Sequence, residues 1–234
     1  MATIETILSP ALIPFHNLEG RSAVVIDILR ATTSICHALD NGAVSMVPVS
    51  TPEECLLYRK KGYLCAAERN GLQLDGFDMG NSPEGFAKEV VAGKDIAITT
   101  TNGTFALLES RDAARHFIGS FLNMAALAKV LIDANEDVVM VCAGWKNKVN
   151  LEDSLFAGAL SELLLEAGFT TDCDSTLMCV DLWKDGKSDL DQSLRRASHA
   201  RRFEKLGIDD LPFCLQMNTQ QTVQEYVGGR IITL

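Results

Sequence analysis

Residues Ala23-Val24-Val25-Ile26-Asp27-Ile28-Leu29-Arg30-Ala31-Thr32-Thr33-Ser34 decide the fold. An apolar run without polar alternates ends in a carboxylate, then an arginine, then hydroxyls that open a helical stretch to about residue 40. A strand of that kind is buried on both faces, so its sheet is covered on two sides. The pattern recurs downstream. Residues 44–49 read as the next strand, and Thr51-Pro52-Glu53-Glu54 starts a helix with proline just inside its amino-terminal end. Residues 63–67 form a third strand closing on Glu68-Arg69-Asn70-Gly71, and Asn81-Ser82-Pro83-Glu84 caps a helix that Gly93 ends. Strands follow at 95–99, near 115–118 and at 138–143, with helices opened by Thr101-Asn102-Gly103-Thr104 and near Asn123. Asn150 caps the clearest helix, whose Leu151, Leu155, Phe156, Ala159, Leu163, Leu164 and Ala167 share one broad face. Residues 170–211 are mostly helical and polar, with a basic cluster at Arg195, Arg196, Arg201 and Arg202, and 230–234 make a last strand.

This alternation predicts an α/β fold: a largely parallel mixed sheet covered by helices on both faces, in three layers, with a helical carboxy-terminal part. There is no repeat, low-complexity tract or linker. Residues 1–234 read as a single α/β catalytic unit, or as two interleaved subdomains with no legible boundary.

Composition narrows the function. A chain of 234 residues buries a full core, and 47% apolar with 22% charged residues is ordinary for a globular enzyme. The net charge of −10 opposes non-specific nucleic-acid binding. Apolar runs such as 138–143 are strand-length, and residues 1–10 lack a basic region followed by an apolar stretch. The expectation is a cytoplasmic protein with no membrane partner, for which a homodimer stays open. Seven cysteines (Cys36, Cys55, Cys65, Cys142, Cys173, Cys179 and Cys214) form no CxxC pair and read as reduced core thiols.

Four loops after strand ends carry the chemistry, because open α/β sheets bind ligands there. In the first, Asp27 is a carboxylate that burial penalises unless it is paired, hydrogen-bonded or metal-bound. Arg30 offers a planar fork to phosphate oxygens, and Thr32, Thr33 and Ser34 offer hydroxyls and amides at a helix start. An Asp–Arg structural pair with hydroxyl caps explains the same residues without function. The second loop, Thr99-Thr100-Thr101-Asn102-Gly103-Thr104, can wrap an oxyanion or merely cap its helix. The third runs from Glu68 and Arg69 through Asp75-Gly76-Phe77-Asp78-Met79-Gly80-Asn81-Ser82-Pro83; its carboxylates suit a hard cation or a solvated turn. The fourth runs from Cys142-Ala143-Gly144 to Asn150-Leu151-Glu152-Asp153, whose acids the helix dipole also favours. The histidines lack metal spacing: His37 reads as a packing residue and His199 as solvated on a basic helix. GxSxG, Walker and GxGxxG motifs are absent.

Taken in order, Val24-Val25-Ile26-Asp27-Ile28-Leu29-Arg30-Ala31-Thr32-Thr33, Glu68-Arg69-Asn70-Gly71 with Gly76-Phe77-Asp78-Met79-Gly80-Asn81-Ser82-Pro83, the Thr99–Thr104 string, and Cys142-Ala143-Gly144 with Leu151-Glu152-Asp153 resemble the signatures of 2-phosphosulfolactate phosphatases. The resemblance covers residues of about 20 to 170. It implies a magnesium-dependent hydrolase that releases phosphate from 2-phosphosulfolactate, in coenzyme M biosynthesis. The loop Trp145-Lys146-Asn147-Lys148-Val149 is more basic and bulkier than that pattern, and the carboxy-terminal third matches loosely.

On this reading Asp27, Arg30 and Glu68 are catalytic. Thr32, Thr33, Arg69, Thr100, Thr101, Asn102, Gly103 and Thr104 bind a small anionic phosphate ester, and Asp27, Glu68, Glu152 and Asp153 are the candidates for holding Mg2+. The rivals are a non-catalytic organic-anion-binding protein and a haloacid-dehalogenase-type phosphatase with Asp27 as nucleophile. The second wants another acid two residues on, where Leu29 stands.

Overall fold

The computed structural model describes residues 1–234. Its ten strands are β1 (Ile4–Ile7), β2 (Ser22–Ile26), β3 (Ser45–Pro48), β4 (Leu64–Arg69), β5 (Leu72–Gln73), β6 (Asp95–Thr99), β7 (Arg115–Gly119), β8 (Val138–Cys142), β9 (Gln224–Val227) and β10 (Arg230–Thr233). They form one sheet in the order β1-β8-β2-β7-β9-β10-β3-β6-β4-β5. One parallel block, β1-β8-β2-β7, and another, β3-β6-β4, are joined through the antiparallel hairpin β9–β10.

Successive residues of the central strands face opposite layers, as the period of two requires. Val24, Ile26, Met140 and Cys142 enter one core with Phe121, Phe156 and Trp183. Ala23, Val25, Val139 and Val141 enter the other with Ile35, Phe86 and Leu107. The first layer holds α5 (Met124–Ala134), α6 (Leu151–Glu166) and α7 (Asp174–Gly186); the second holds α1 (Ala31–Asp40) and α4 (Gly103–Glu109). Between α1 and α4 lie α2 (Pro52–Arg59) and α3 (Lys88–Val91), and α8 (Leu190–Arg195), α9 (Ser198–Lys205) and α10 (Leu211–Cys214) follow α7. The mixed, helix-covered sheet and helical carboxy-terminal part match the expectation. No helix is long and apolar enough to cross a membrane.

Three local readings change. The helix expected after Asn81 splits into a 3-10 turn, Pro83–Phe86, and α3, because Ala87 is extended (φ −60°, ψ 151°) between them. Asn70-Gly71 is a two-residue hairpin turn joining β4 to β5, with both residues at positive φ, as such turns demand. β9 is polar in sequence yet buried at Gln224 and Glu225, which bond to Asn123 and Arg115.

Candidate active site

The carboxyl ends of β2 and β8, the end of β4 and the loop after β6 meet at one cavity, whose remaining side is α9. Twist accumulates across the strands and lets the two blocks converge. Asp27 follows the last residue of β2. Its N–H donates to Thr32 Oγ1 at 3.0 Å, and its carbonyl accepts the Thr32 N–H at 3.0 Å. Asp27 therefore sits on a loop locked by its own helix start. Gly103 abuts it: a Cβ there would lie 2.9 Å from Asp27 Oδ2 and 2.6 Å from Ala31 Cβ. Only glycine lets the β6 loop approach this closely.

Glu68 enters from β4. Its Oε1 accepts the Gly71 N–H, and its Oε2 lies 3.3 Å from Thr101 Oγ1. Asn102 reaches across to accept the Lys146 N–H at 3.1 Å. Glu152 is fully buried in the first turn of α6; Oε1 pairs with His199 Nδ1 at 2.9 Å, while Oε2 has no partner. Asp153 beside it clamps backbone, accepting from Ile28 N at 2.9 Å, Gly144 N at 3.0 Å and Asn150 Nδ2 at 2.9 Å.

Burial pushes the Asp27 carboxyl up to about 6; His199 and the Ala31 N–H oppose this, and Glu68 and Glu152 add to it. Burial, with Asp27 and Glu152 nearby, also holds Asp153 well above the usual carboxylate range. Asp27 thus feels Glu68 and Glu152, and Asp153 feels Asp27 and Glu152.

Several predicted ligands are occupied elsewhere. Arg30, 4% exposed, is spent on a buried ion pair with Asp210 and on Gly71 O at 2.8 Å, with its guanidinium 4.7 Å from the Phe203 ring centre. Thr33 Oγ1 donates to Ile28 O, and Thr100 and Thr104 cap each other. Arg69 bonds to Glu68 O, Thr99 O and Thr99 Oγ1 and faces a separate hollow of about 230 Å³ with Thr100 and Thr104. Of the threonine loop, Thr101 and Asn102 line the central cavity.

His199 is the clearest correction. It is not solvated but 7% exposed, packed on Phe203 at 4.5 Å and stacked near Trp145 at 6.3 Å. His199 and Phe203 stand four apart on α9, so their shared face was a readable signal. Arg202 stands in the basic cluster, whose sequence does not say which member turns inward, and Asp210 has no local signal.

The 2-phosphosulpholactate phosphatase family model matches residues 7–229. The chain belongs to this family. Among its relatives, a protein of Thermotoga petrophila is 39% identical over 220 residues, 94% of this chain and 95% of its own. One of Clostridium beijerinckii is 36% identical over 234 residues, covering 97% and 98%. One of Synechococcus sp. is 42% identical over 203 residues, covering 84% and 82%. Each bears the name probable 2-phosphosulfolactate phosphatase. Membership of the family spans both the sheet and the carboxy-terminal helices that supply His199.

Proposed function

We propose that this protein is a magnesium-dependent phosphatase that hydrolyses 2-phosphosulfolactate to sulfolactate and phosphate, in the cytoplasm, as a step of coenzyme M biosynthesis. The observation that carries it is the buried Asp27 at a strand end, facing a polar cavity shared with Glu68 and His199. A binding protein for an organic anion has no use for two carboxylates, Asp27 and Glu68, at its ligand, which they repel.

The donor set fits a hard cation. No three His, Cys, Asp or Glu side chains form a ready-made metal cage. Magnesium needs none, since it keeps several waters and takes one or two carboxylates plus phosphate oxygens. Asp27 and Glu68 face the cavity and are the pair we assign to it. Asp153 is committed to backbone amides and Glu152 Oε1 to His199; Glu152 Oε2 is unpartnered but does not line the cavity. When bound, the cation would neutralise charge on the phosphoryl oxygens.

The chain's own groups do the rest. Asp27 orients the attacking oxygen or attacks itself; both serve in-line displacement. Thr101 and Asn102 border the phosphoryl group from the β6 loop. Glu152 fixes His199 through Nδ1, leaving Nε2 without a protein partner and placed to protonate the leaving oxygen. The test is a phosphate-release assay on 2-phosphosulfolactate, with magnesium and with excess chelator. Release that needs magnesium is expected; none under either condition ends the proposal.

A further inference from the structure

The proposed substrate carries a second and third anionic group besides phosphate, and the two arginines nearest the strand ends are not free to meet them. Arg30 lines the cavity but its charge is neutralised by Asp210, and Arg69 points into another hollow. The cavity must find its positive charge elsewhere.

Arg202 supplies it. It lines the same cavity as Asp27, from α9. One Nη nitrogen donates to Asn70 O at 2.8 Å, and the rest of the fork has no protein partner. Its guanidinium lies 5.1 Å from the centre of the Trp145 ring, and Lys146 Nζ lies 5.1 Å from the same centre. Neither cation is paired with a carboxylate, whereas Arg21, Arg30, Arg59, Arg115 and Arg195 all are. The turn that presents Lys146 is held in place: Lys146 and Asn147 have positive φ, and the Lys146 N–H is fixed by Asn102 Oδ1. Two unneutralised cations on an aromatic plate, in a protein of net charge −10, are a local reversal of field.

We propose that Arg202, supported by the exposed Lys146 at the same Trp145 ring, is the specificity subsite for the anionic group on the alcohol part of the substrate. This rests on the phosphatase reading of the neighbouring carboxylates. A guanidinium fork accepts a sulfonate or a carboxylate through paired hydrogen bonds, and Trp145 keeps it flat and partly desolvated. The cavity itself is about 20 Å³, room for roughly a water molecule. An ester entering it must therefore displace lining side chains, of which Arg202 is held by a single hydrogen bond, to Asn70 O.

The experiment compares kcat/KM for 2-phosphosulfolactate, 2-phospholactate and ethyl phosphate in the wild type, Arg202→Gln and Lys146→Gln, with sulfoacetate binding followed by calorimetry. Arg202→Gln should lower the ratio of phosphosulfolactate to ethyl phosphate by on the order of 10- to 100-fold, chiefly through KM, and Lys146→Gln by less. A drop confined to phosphosulfolactate assigns the sulfonate to Arg202; a similar drop for phospholactate assigns the carboxylate. Sulfoacetate should bind the wild type and weaken in Arg202→Gln by a comparable factor. An inactive wild type that still binds sulfoacetate through Arg202 would sink the phosphatase reading and leave the subsite standing. A ratio unchanged within about threefold in an active enzyme, or sulfoacetate binding indifferent to Arg202, overturns the subsite.

Discussion

His199 Nδ1 lies 2.9 Å from Glu152 Oε1, joining the carboxy-terminal helix α9 to the first turn of α6 across 47 residues of chain. A buried carboxylate behind a histidine fixes the ring and leaves the other nitrogen for a ligand. His199→Gln should lower kcat on alkyl phosphates by roughly 10²- to 10⁴-fold, the usual yield of general acid catalysis. p-Nitrophenyl phosphate should lose far less, because its leaving group departs without a proton. Equal losses on both esters would show that His199 only packs.

Arg30 makes a different prediction from the one its loop suggests. It ties α1's start to Asp210, 180 residues away, so its removal leaves a buried carboxylate unpaired. Arg30→Ala should destabilise the fold by about 3–5 kcal/mol, and adding Asp210→Ala should recover part of that. Urea denaturation of the two variants checks it. A stable Arg30→Ala enzyme with only a raised KM would return Arg30 to the substrate.

Those two contacts show what was legible in the sequence. The β2 run and Asp27 were readable because a strand buried on both faces declares itself within a few residues. Asn150 was readable as a cap, and its side chain does accept the Asp153 N–H. The threonine loop was ambiguous for a physical reason: hydroxyls that cradle an anion and hydroxyls that cap a helix are the same residues, and here Thr100 and Thr104 cap each other. His199, Arg202 and Asp210 gain their meaning from partners far away in the chain. No local periodicity encodes such a pairing.

Glu162 gives a pH test away from the site. It accepts from Trp183 Nε1 at 2.7 Å and from Lys187 at 3.0 Å, holding α6 to α7. Burial raises its carboxyl, but the Lys187 and Trp183 hydrogen bonds outweigh this and hold it below the ordinary carboxylate value of 4.5. A folded pKa below the unfolded one gives stability that is full above 4.5 and lost as pH falls below it. Glu162→Gln should therefore cost about 1–2 kcal/mol at pH 7 and much less at pH 3. Denaturation at both pH values measures it; an equal cost at each would place the effect in packing.

Activity should vanish in excess chelator and return with magnesium. Asp27→Asn should abolish turnover while the fold survives, since the change removes charge and spares volume. Glu68→Gln should raise the magnesium concentration needed for half-maximal rate. A Glu68→Gln enzyme with an unchanged magnesium requirement would remove Glu68 from the cation.

Gly103 tests how closely the β6 loop must approach Asp27. It is not at positive φ, so an alanine there meets no backbone penalty, only contacts of 2.6 Å with Ala31 Cβ, 2.9 Å with Asp27 Oδ2 and 3.3 Å with Asp27 Cβ. Both neighbours are held: Ala31 is buried at the start of α1, and the Asp27 loop is locked by Thr32. Overpacking of that kind costs about 1–3 kcal/mol, and the shift falls on the carboxylate that the chemistry uses. Gly103→Ala should thus lose activity out of proportion to stability. Adding Ala31→Gly removes the nearer clash but not the one with Asp27 Oδ2, so the double variant should regain thermal stability while its rate stays low. Recovery of both together would mean that the Cβ acts only by jamming α1, and that the loop's closeness to Asp27 carries no catalytic weight.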